Sequence, residues 1–240
     1  MKQILWFRRD LRVNDSAILS YSKDEVLPIF IFDKNILDKL ERDDKRVTFI
    51  YESVLKLKEN LKSLGLNLAM FYSTPKEVFE SLKNQGFDSI LCSVDFDNYA
   101  KKRDEEIAKI IPMQTFTDSF ITHPNNCLKA DKNPYKVFTP YYNNLKFIWD
   151  SYKLEEFKTN KNLKLISYDF DFIPTLENMG FTKQTLPQFL QKSAYELLED
   201  FEQKIDNYKV DRDFFDKNTT SNLAVHLRFG LISPRQVFNK

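Results

Sequence analysis

Apolar residues in the first half of the chain fall into short runs that alternate with helical stripes. Runs at Lys2 to Phe7, Pro28 to Phe32, Asn67 to Tyr72 and Ser89 to Val94 have strand length, and Gln114 to Thr117 is a shorter fifth. Pro28 is tolerable as the first residue of its strand. Between the runs, Val47, Ile50, Tyr51, Val54, Leu57, Leu61 and Leu64 lie on one helical stripe, with Asp43 and Asp44 available as N-caps. Gly65 and Gly86 sit where a helix must stop before the next strand. Asp97 to Ile111 reads as a further helix, with Lys101, Lys102 and Arg103 on its exposed side. Such alternation with short connections predicts an α/β fold: a Rossmann-like, doubly wound, five-stranded parallel sheet with helices on both faces.

After about Asp118 the pattern changes. Pro124, Pro134 and Pro140, with Asn125, Asn126 and Asn133, make a long turn-rich connection. A helical run from Tyr141 to Tyr152 follows, then a Lys/Asn-rich stretch, Lys158 to Leu165, that reads as a solvated linker. Leu186 to Val210 is mostly helical, with Phe189, Leu190, Leu197, Leu198, Phe201 and Ile205 supplying an apolar face. Ser221 to Phe229 reads as a helix ending at Gly230, and Ser233-Pro234 opens another. The division expected is 1–122 as the α/β domain, 123–175 as a connector, and 176–240 as the start of an incomplete all-helical domain. The last helix reaches Lys240 after about two turns, too short to stand without packing.

Composition narrows the chemistry. An apolar fraction of 42% with 22 Phe supplies a core, and a net charge of +1 carries no global nucleic-acid or membrane signature. Cys92 and Cys127 are far apart and read as reduced thiols of a cytoplasmic protein; with only His123 and His226 beside them, no metal site is expected. No run of about 18 apolar residues exists, so no membrane span is expected. The four glycines, Gly65, Gly86, Gly180 and Gly230, are too widely separated for a G-x-G-x-x-G or a P-loop motif.

Two clusters carry candidate chemistry. Trp6-Phe7-Arg8-Arg9-Asp10-Leu11-Arg12 follows the first apolar run and places three guanidiniums and a carboxylate at a strand's C-terminal end, where open α/β sheets bind ligands. The cluster reads either as an anion or charge-pairing site or as a solvated turn. Thr219-Thr220-Ser221-Asn222-Leu223 opens a helix with hydroxyl residues, which serve as N-caps and, through the same free N–H groups, as phosphate ligands. Tyr208-x-x-x-Arg212-Asp213 lies upstream and His226 to Arg235 downstream.

These segments, with Val13-Asn14-Asp15 and Pro134-Tyr135-Lys136-Val137-Phe138-Thr139-Pro140, resemble the DNA photolyase/cryptochrome family in four collinear patches. The resemblance spans the chain, but family members continue for about as many helical residues again. It implies a flavoprotein that binds a cyclobutane pyrimidine dimer flipped from damaged DNA and splits it with an electron from excited, reduced FAD. Carried over by position, Tyr208, Thr220, Ser221, Asn222, Leu223 and Ala224 would hold FAD. Asn222 and Ala224 depart from the Arg and Ser that many members have there. Arg212 would contact DNA; its alternative is a pair with Asp213 or Asp216.

The α/β domain would hold an antenna chromophore, with Arg9, Asp10, Phe32, Lys101 and Arg103 as pocket candidates. For Lys101 and Arg103 a solvated helix face competes with that role. A folate antenna is not expected, because Tyr99-Ala100 stands where folate binders have Asn-Glu. No catalytic residue is expected in this half, and His226, Trp6 and Trp149 are expected to be packed. The expected activity is that of a DNA photolyase, a monomer, with the chain alone inactive. The alternatives are a cryptochrome-type blue-light photoreceptor and an orphan chromophore-binding α/β domain.

Overall fold

The computed structural model describes residues 1–150, 154–214 and 216–240. Strands β1 (Lys2–Phe7), β2 (Glu25–Asp33), β3 (Ala69–Ser73), β4 (Ser89–Ser93) and β5 (Met113–Phe116) form a wholly parallel sheet in the order β3-β2-β1-β4-β5. The chain builds outward from β1 to β3, then returns to the other side of β1. The switch point therefore lies between β1 and β4.

Alternation along β1 explains the layering. Leu5 and Phe7 point to one face, with Val54, Leu57 and Leu61 of α3 (Lys45–Lys62) and Ile18 and Leu19 of α1 (Ala17–Tyr21). Ile4 and Trp6 point to the other, with Val78, Phe79 and Leu82 of α4 (Pro75–Asn84) and Ile107 of α5 (Asn98–Ala108). A short α2 (Lys34–Leu37) follows β2 directly. Of the two candidate caps of α3, Asp44 serves, accepting from the Arg46 N–H; Leu64 lies beyond the helix and is exposed.

Pro28 is in the interior of a central strand rather than at its start, paired in register with Leu5. Val26 O accepts from Ile166 N, so alternation turns the nitrogen of Pro28 to that same side. There it falls between the last β6 residue, Leu165, and the first β3 residue, Ala69, where no ladder partner waits for an N–H.

The stretch 158–165 is not a solvated linker. Lys164–Leu165 is a sixth strand, β6, parallel to β2, and Thr159 and Asn160 hydrogen-bond the backbone of Val13, Leu19 and Ser22. Farther on, Leu176, Met179 and Phe181 pack into the same core as α3. Before these lies α6 (Phe138–Asp150), which begins three residues earlier than the pattern indicated; Tyr152 lies outside the described residues.

The apolar run 186–210 is divided into α7 (Gln188–Gln191), α8 (Ala194–Glu202) and α9 (Tyr208–Asp211). Ser193 forces the first break by capping α8 in a reciprocal capping box with Glu196. Leu197 and Leu198 join a small core with Leu223 and Ile232, while Phe189 and Ile205 are exposed. The chain ends with α10 (Ala224–Arg228) and α11 (Pro234–Phe238), the latter capped by Ser233.

A buried charge network fastens this end to the sheet. Arg235 Nε donates to both Asp15 oxygens at 2.9 and 3.0 Å, and its Nη2 donates to Asp118 Oδ1 at 2.5 Å. Arg12 Nη2 donates to the same Asp118 oxygen at 2.5 Å, and Nη1 to the Gly230 carbonyl at 3.3 Å. All four side chains are at most 6% exposed. Such a network is stable only when every charge is matched, which couples the two ends of the chain.

Candidate functional site

A cavity of about 560 Å³ opens above the C-terminal ends of β1 and β2, next to the switch point. Trp6, Phe30, Ile31 and Phe32 form its floor; Ile36, Leu37 and Ile50 form one side and Tyr99 and Arg103 of α5 another. Ala224, Val225, Arg228 and Phe229 close it from the C-terminal segment. A parallel sheet leaves its strand ends unroofed, and here residues of α10 (Ala224–Arg228) and the following Phe229 cover them.

The charges around the cavity are largely matched internally. Arg8 Nη1 donates to both Asp104 oxygens at 2.7 and 2.8 Å, and its Nη2 donates to the Ser93 carbonyl. Burial opposes that charge, but Cys92, Asp104 and Asp10 outweigh it and the pKa of Arg8 is raised. Arg9 pairs with Asp95 and Asp97, each at 3.0 Å; burial and the nearby Arg228 together lower its pKa. Tyr99 donates its hydroxyl to Asp33, and burial together with that carboxylate pushes its pKa up to about 12. Arg8 and Arg103 both lie over the Trp6 ring, at 4.6 and 4.7 Å from its centroid.

Three of the five pocket candidates, Arg9, Phe32 and Arg103, line the cavity. Asp10 does not. It is fully buried beneath the turn, accepting from Arg8 N at 2.7 Å and Ser93 Oγ at 2.6 Å, and burial followed by Asp118 raises its pKa. Lys101 is exposed on the outer side of α5, away from the cavity wall. Arg103 is not solvated: its side chain is 12% exposed and pairs with Asp104 at 2.9 Å.

A second, smaller pocket of about 250 Å³ lies beside the hydroxyl cluster, lined by Thr220, Ser221, Asn222, Lys192, Lys204 and Asn218 among others. The hydroxyls do not cap a helix. Asn222 adopts a left-handed φ of 56°, which an α-helix cannot include, so α10 begins only at Ala224 with Leu223 as an N-cap that makes no side-chain bond. Ser221 Oγ instead accepts from Leu223 N at 3.4 Å. The neighbouring Thr219 hydroxyl is buried without a hydrogen-bond partner among the described residues, and Thr219 is not part of the pocket wall.

The six expected FAD ligands are thus divided. Thr220, Ser221 and Asn222 face the small pocket, Leu223 enters the core, and Ala224 faces the large cavity. Tyr208 lies outside both walls and packs edge-on against Phe201 at 5.5 Å. Arg212 is exposed, with Asp213 at 3.7 Å. His226 is packed, with Nε2 3.1 Å from the Lys192 carbonyl and its ring edge-on to Phe49. Trp6 is buried against Phe79, and Trp149 is half-buried against Phe238.

Pattern reading missed Tyr99, Asp33 and Arg228 in the large cavity, and Asp118 in the network. Asp118 had no signal at all, being one acidic residue in a turn; Arg228 lay within a quoted patch, but nothing in the sequence separates it from Arg235 there. No group of residues suited to a metal, and no helix long and apolar enough to cross a membrane, is present among the described residues.

Comparison with known proteins gives these sites a context. A family model described as DNA photolyase matches residues 3–160. The deoxyribodipyrimidine photo-lyase of Buchnera aphidicola subsp. Baizongia pistaciae is 28% identical over 97% of this chain and 52% of its own length; that of Alkalihalophilus pseudofirmus is 26% identical over 98% and 52%. An archaeal photolyase from Sulfolobus tokodaii, whose crystal structure holds two FAD molecules, superposes with a TM-score of 0.80 at 26% identity, covering 100% of this chain and 54% of that one. The chain spans about half the length of the curated relatives it matches.

Proposed function

The chain belongs to the DNA photolyase family, and from that premise we propose that it is the N-terminal half of a light-driven DNA-repair flavoprotein acting as a monomer on pyrimidine-dimer DNA. In this reading residues 1–122 form the chromophore-bearing domain, 123–175 the connector and 176–240 the start of the flavin-binding domain. The observation that carries it is convergence. Residues from the first patch, Arg12 and Asp15, meet Gly230 and Arg235 of the last in one buried network beside the large cavity.

The small pocket fits the diphosphate end of FAD. Thr220 and Ser221 supply hydroxyls and Lys204 supplies positive charge, while Lys192 is paired with Asp200 of the same wall at 2.6 Å. FAD held there by Thr220 and Ser221 would, when reduced and excited, be the source of the electron for dimer cleavage. The protein's own contribution in this half is to hold and orient. Leu223 anchors the hydroxyl segment in the core, and Arg212, exposed and only loosely paired, is available to a DNA phosphate. The large cavity suits a second, light-collecting chromophore. Its floor is apolar and aromatic, and Arg9, Phe32 and Arg103 lie on its wall.

The test is loss of thymine dimers from an oligonucleotide under blue light with reduced FAD, against a dark control. Light-dependent loss is expected of protein holding both halves of the family's length, and none from residues 1–240 alone, which supply only part of the flavin's surroundings. Equal loss in the dark, or none in light from the longer protein, would overturn the reading.

A further inference from the structure

The segment around the start of α6 departs from the balanced charge of the rest of the chain. Between His123 and Trp149 the sequence has Lys129, Lys132, Lys136 and Lys146 but a single acidic residue, Asp131. Lys129 takes up that carboxylate at 3.2 Å. Lys132, Lys136 and Lys146 are exposed and have no carboxylate at ion-pair distance among the described residues.

Aromatic rings lie uncovered among these charges. The two ends of α6 differ: Leu145 is buried and Trp149 packs against Phe238, whereas Phe138 is 73% exposed and Tyr142 42%. The rings of Phe138 and Tyr142 are stacked, with centroids 5.7 Å apart and planes at 24°. Phe138, Tyr142 and Lys146 are spaced four apart and so follow one side of the helix. Lys136 stands two residues before its start, next to Tyr135, which meets the half-open ring of Tyr141 edge-on at 6.3 Å. None of these residues lines either pocket.

The lysines decide what such a face accepts. The core of a protein–protein interface is depleted in lysine, whereas here ammonium groups flank the rings on both sides. Exposed rings give a base a stacking surface, and cations beside them match the phosphates of a single strand. A duplex keeps its base faces stacked internally, so only an unpaired strand can use the rings.

We propose that the N-terminal end of α6 and the lysine-bearing segment before it bind single-stranded nucleic acid. Phe138 and Tyr142 stack on bases, and Lys136 and Lys146 meet the phosphates. The proposal goes beyond the flavin and lesion chemistry and does not rest on it.

The experiment follows the fluorescence anisotropy of a labelled oligothymidine, and of a blunt duplex of the same length, on titration with the full chain. The single strand is expected to bind about tenfold more tightly than the duplex. Its log affinity should fall against log salt with a slope of about −1.4, the value for two phosphate contacts. Phe138→Ser should weaken strand binding about tenfold with the slope unchanged, and Phe138→Trp should retain it. Lys136→Gln combined with Lys146→Gln should flatten the slope instead. All three positions are exposed, and unchanged urea midpoints check that the variants fold. Equal affinity for strand and duplex, no binding of either, a Phe138→Ser variant as tight as wild type, or a slope untouched by the lysine pair would overturn the proposal. So would a dimer in light scattering that Phe138→Ser dissolves, or loss of strand binding in a protein holding both halves of the family's length, since either result assigns this face to a polypeptide.

Discussion

Gly230 lies directly against Arg9: a Cβ built on Gly230 would be 2.2 Å from the Arg9 carbonyl oxygen and 2.6 Å from Cα of Asp10. The backbones are joined beside this contact, Leu11 N donating to Phe229 O at 3.1 Å. Gly230 also has a φ of 65°, so both the conformation and the space exclude a side chain. Gly230→Ala is expected to cost about 2–4 kcal/mol. In urea unfolding followed by limited proteolysis, residues after 182 should become cleavable before the sheet. A variant as stable as wild type would show that the two segments need not touch.

The buried network should respond asymmetrically. Arg235→Met leaves Asp15 without its cation and is expected to cost about 3–5 kcal/mol. Adding Asp15→Asn removes the stranded charge while its amide oxygen still accepts from Phe157 N, so part of the loss should return. Additive losses in a double-mutant cycle would mean that Arg235 and Asp15 are not coupled.

His226 sets a pH dependence. Burial lowers its pKa below the usual 6.5, so the unfolded chain takes up a proton that the folded protein refuses. Acid then favours the unfolded state. The contribution of His226 is lost as pH falls from 6.5 toward the lowered folded value, and is fully present above 6.5. His226→Gln should flatten the stability profile across that window, measured by urea midpoints at several pH values; a profile parallel to wild type would exclude His226 as its source.

Both thiols should be silent in the folded protein. Cys92 is fully buried, and burial pushes its pKa up to about 11 despite the opposing field of Arg8; Cys127 is also buried. A thiol-reactive chromogen at mildly alkaline pH should report no reaction until urea is added, and two thiols thereafter. Rapid modification of Cys92 in the native state would contradict its place beneath the cavity.

The local pattern was sufficient for the sheet because both of its faces are buried. β1 and β4 were legible almost to the residue, since an apolar run flanked by charge has few other ways to bury itself. The small strand β6 was not legible. Its two residues, Lys164 and Leu165, carry no periodicity, and their pairing depends on a gap beside Pro28 that exists only in the folded sheet. The start of α10 was misplaced because Thr219, Thr220 and Ser221 look like ordinary caps in sequence, whereas the left-handed turn at Asn222 forms only in its packed context.

The sequence by itself determined the alternating α/β plan, the family and part of each pocket's lining, because these depend on periodicity and on collinear motifs. Only the tertiary structure decided how those residues are shared out: Ala224 facing one pocket and Thr220 the other, Asp10 sealed beneath the turn, and Arg228 left over the cavity without a counterion. Which face a side chain takes after a left-handed residue, and which carboxylate meets which guanidinium across more than a hundred residues, are settled by how the chain closes on itself. No local spacing encodes that closure.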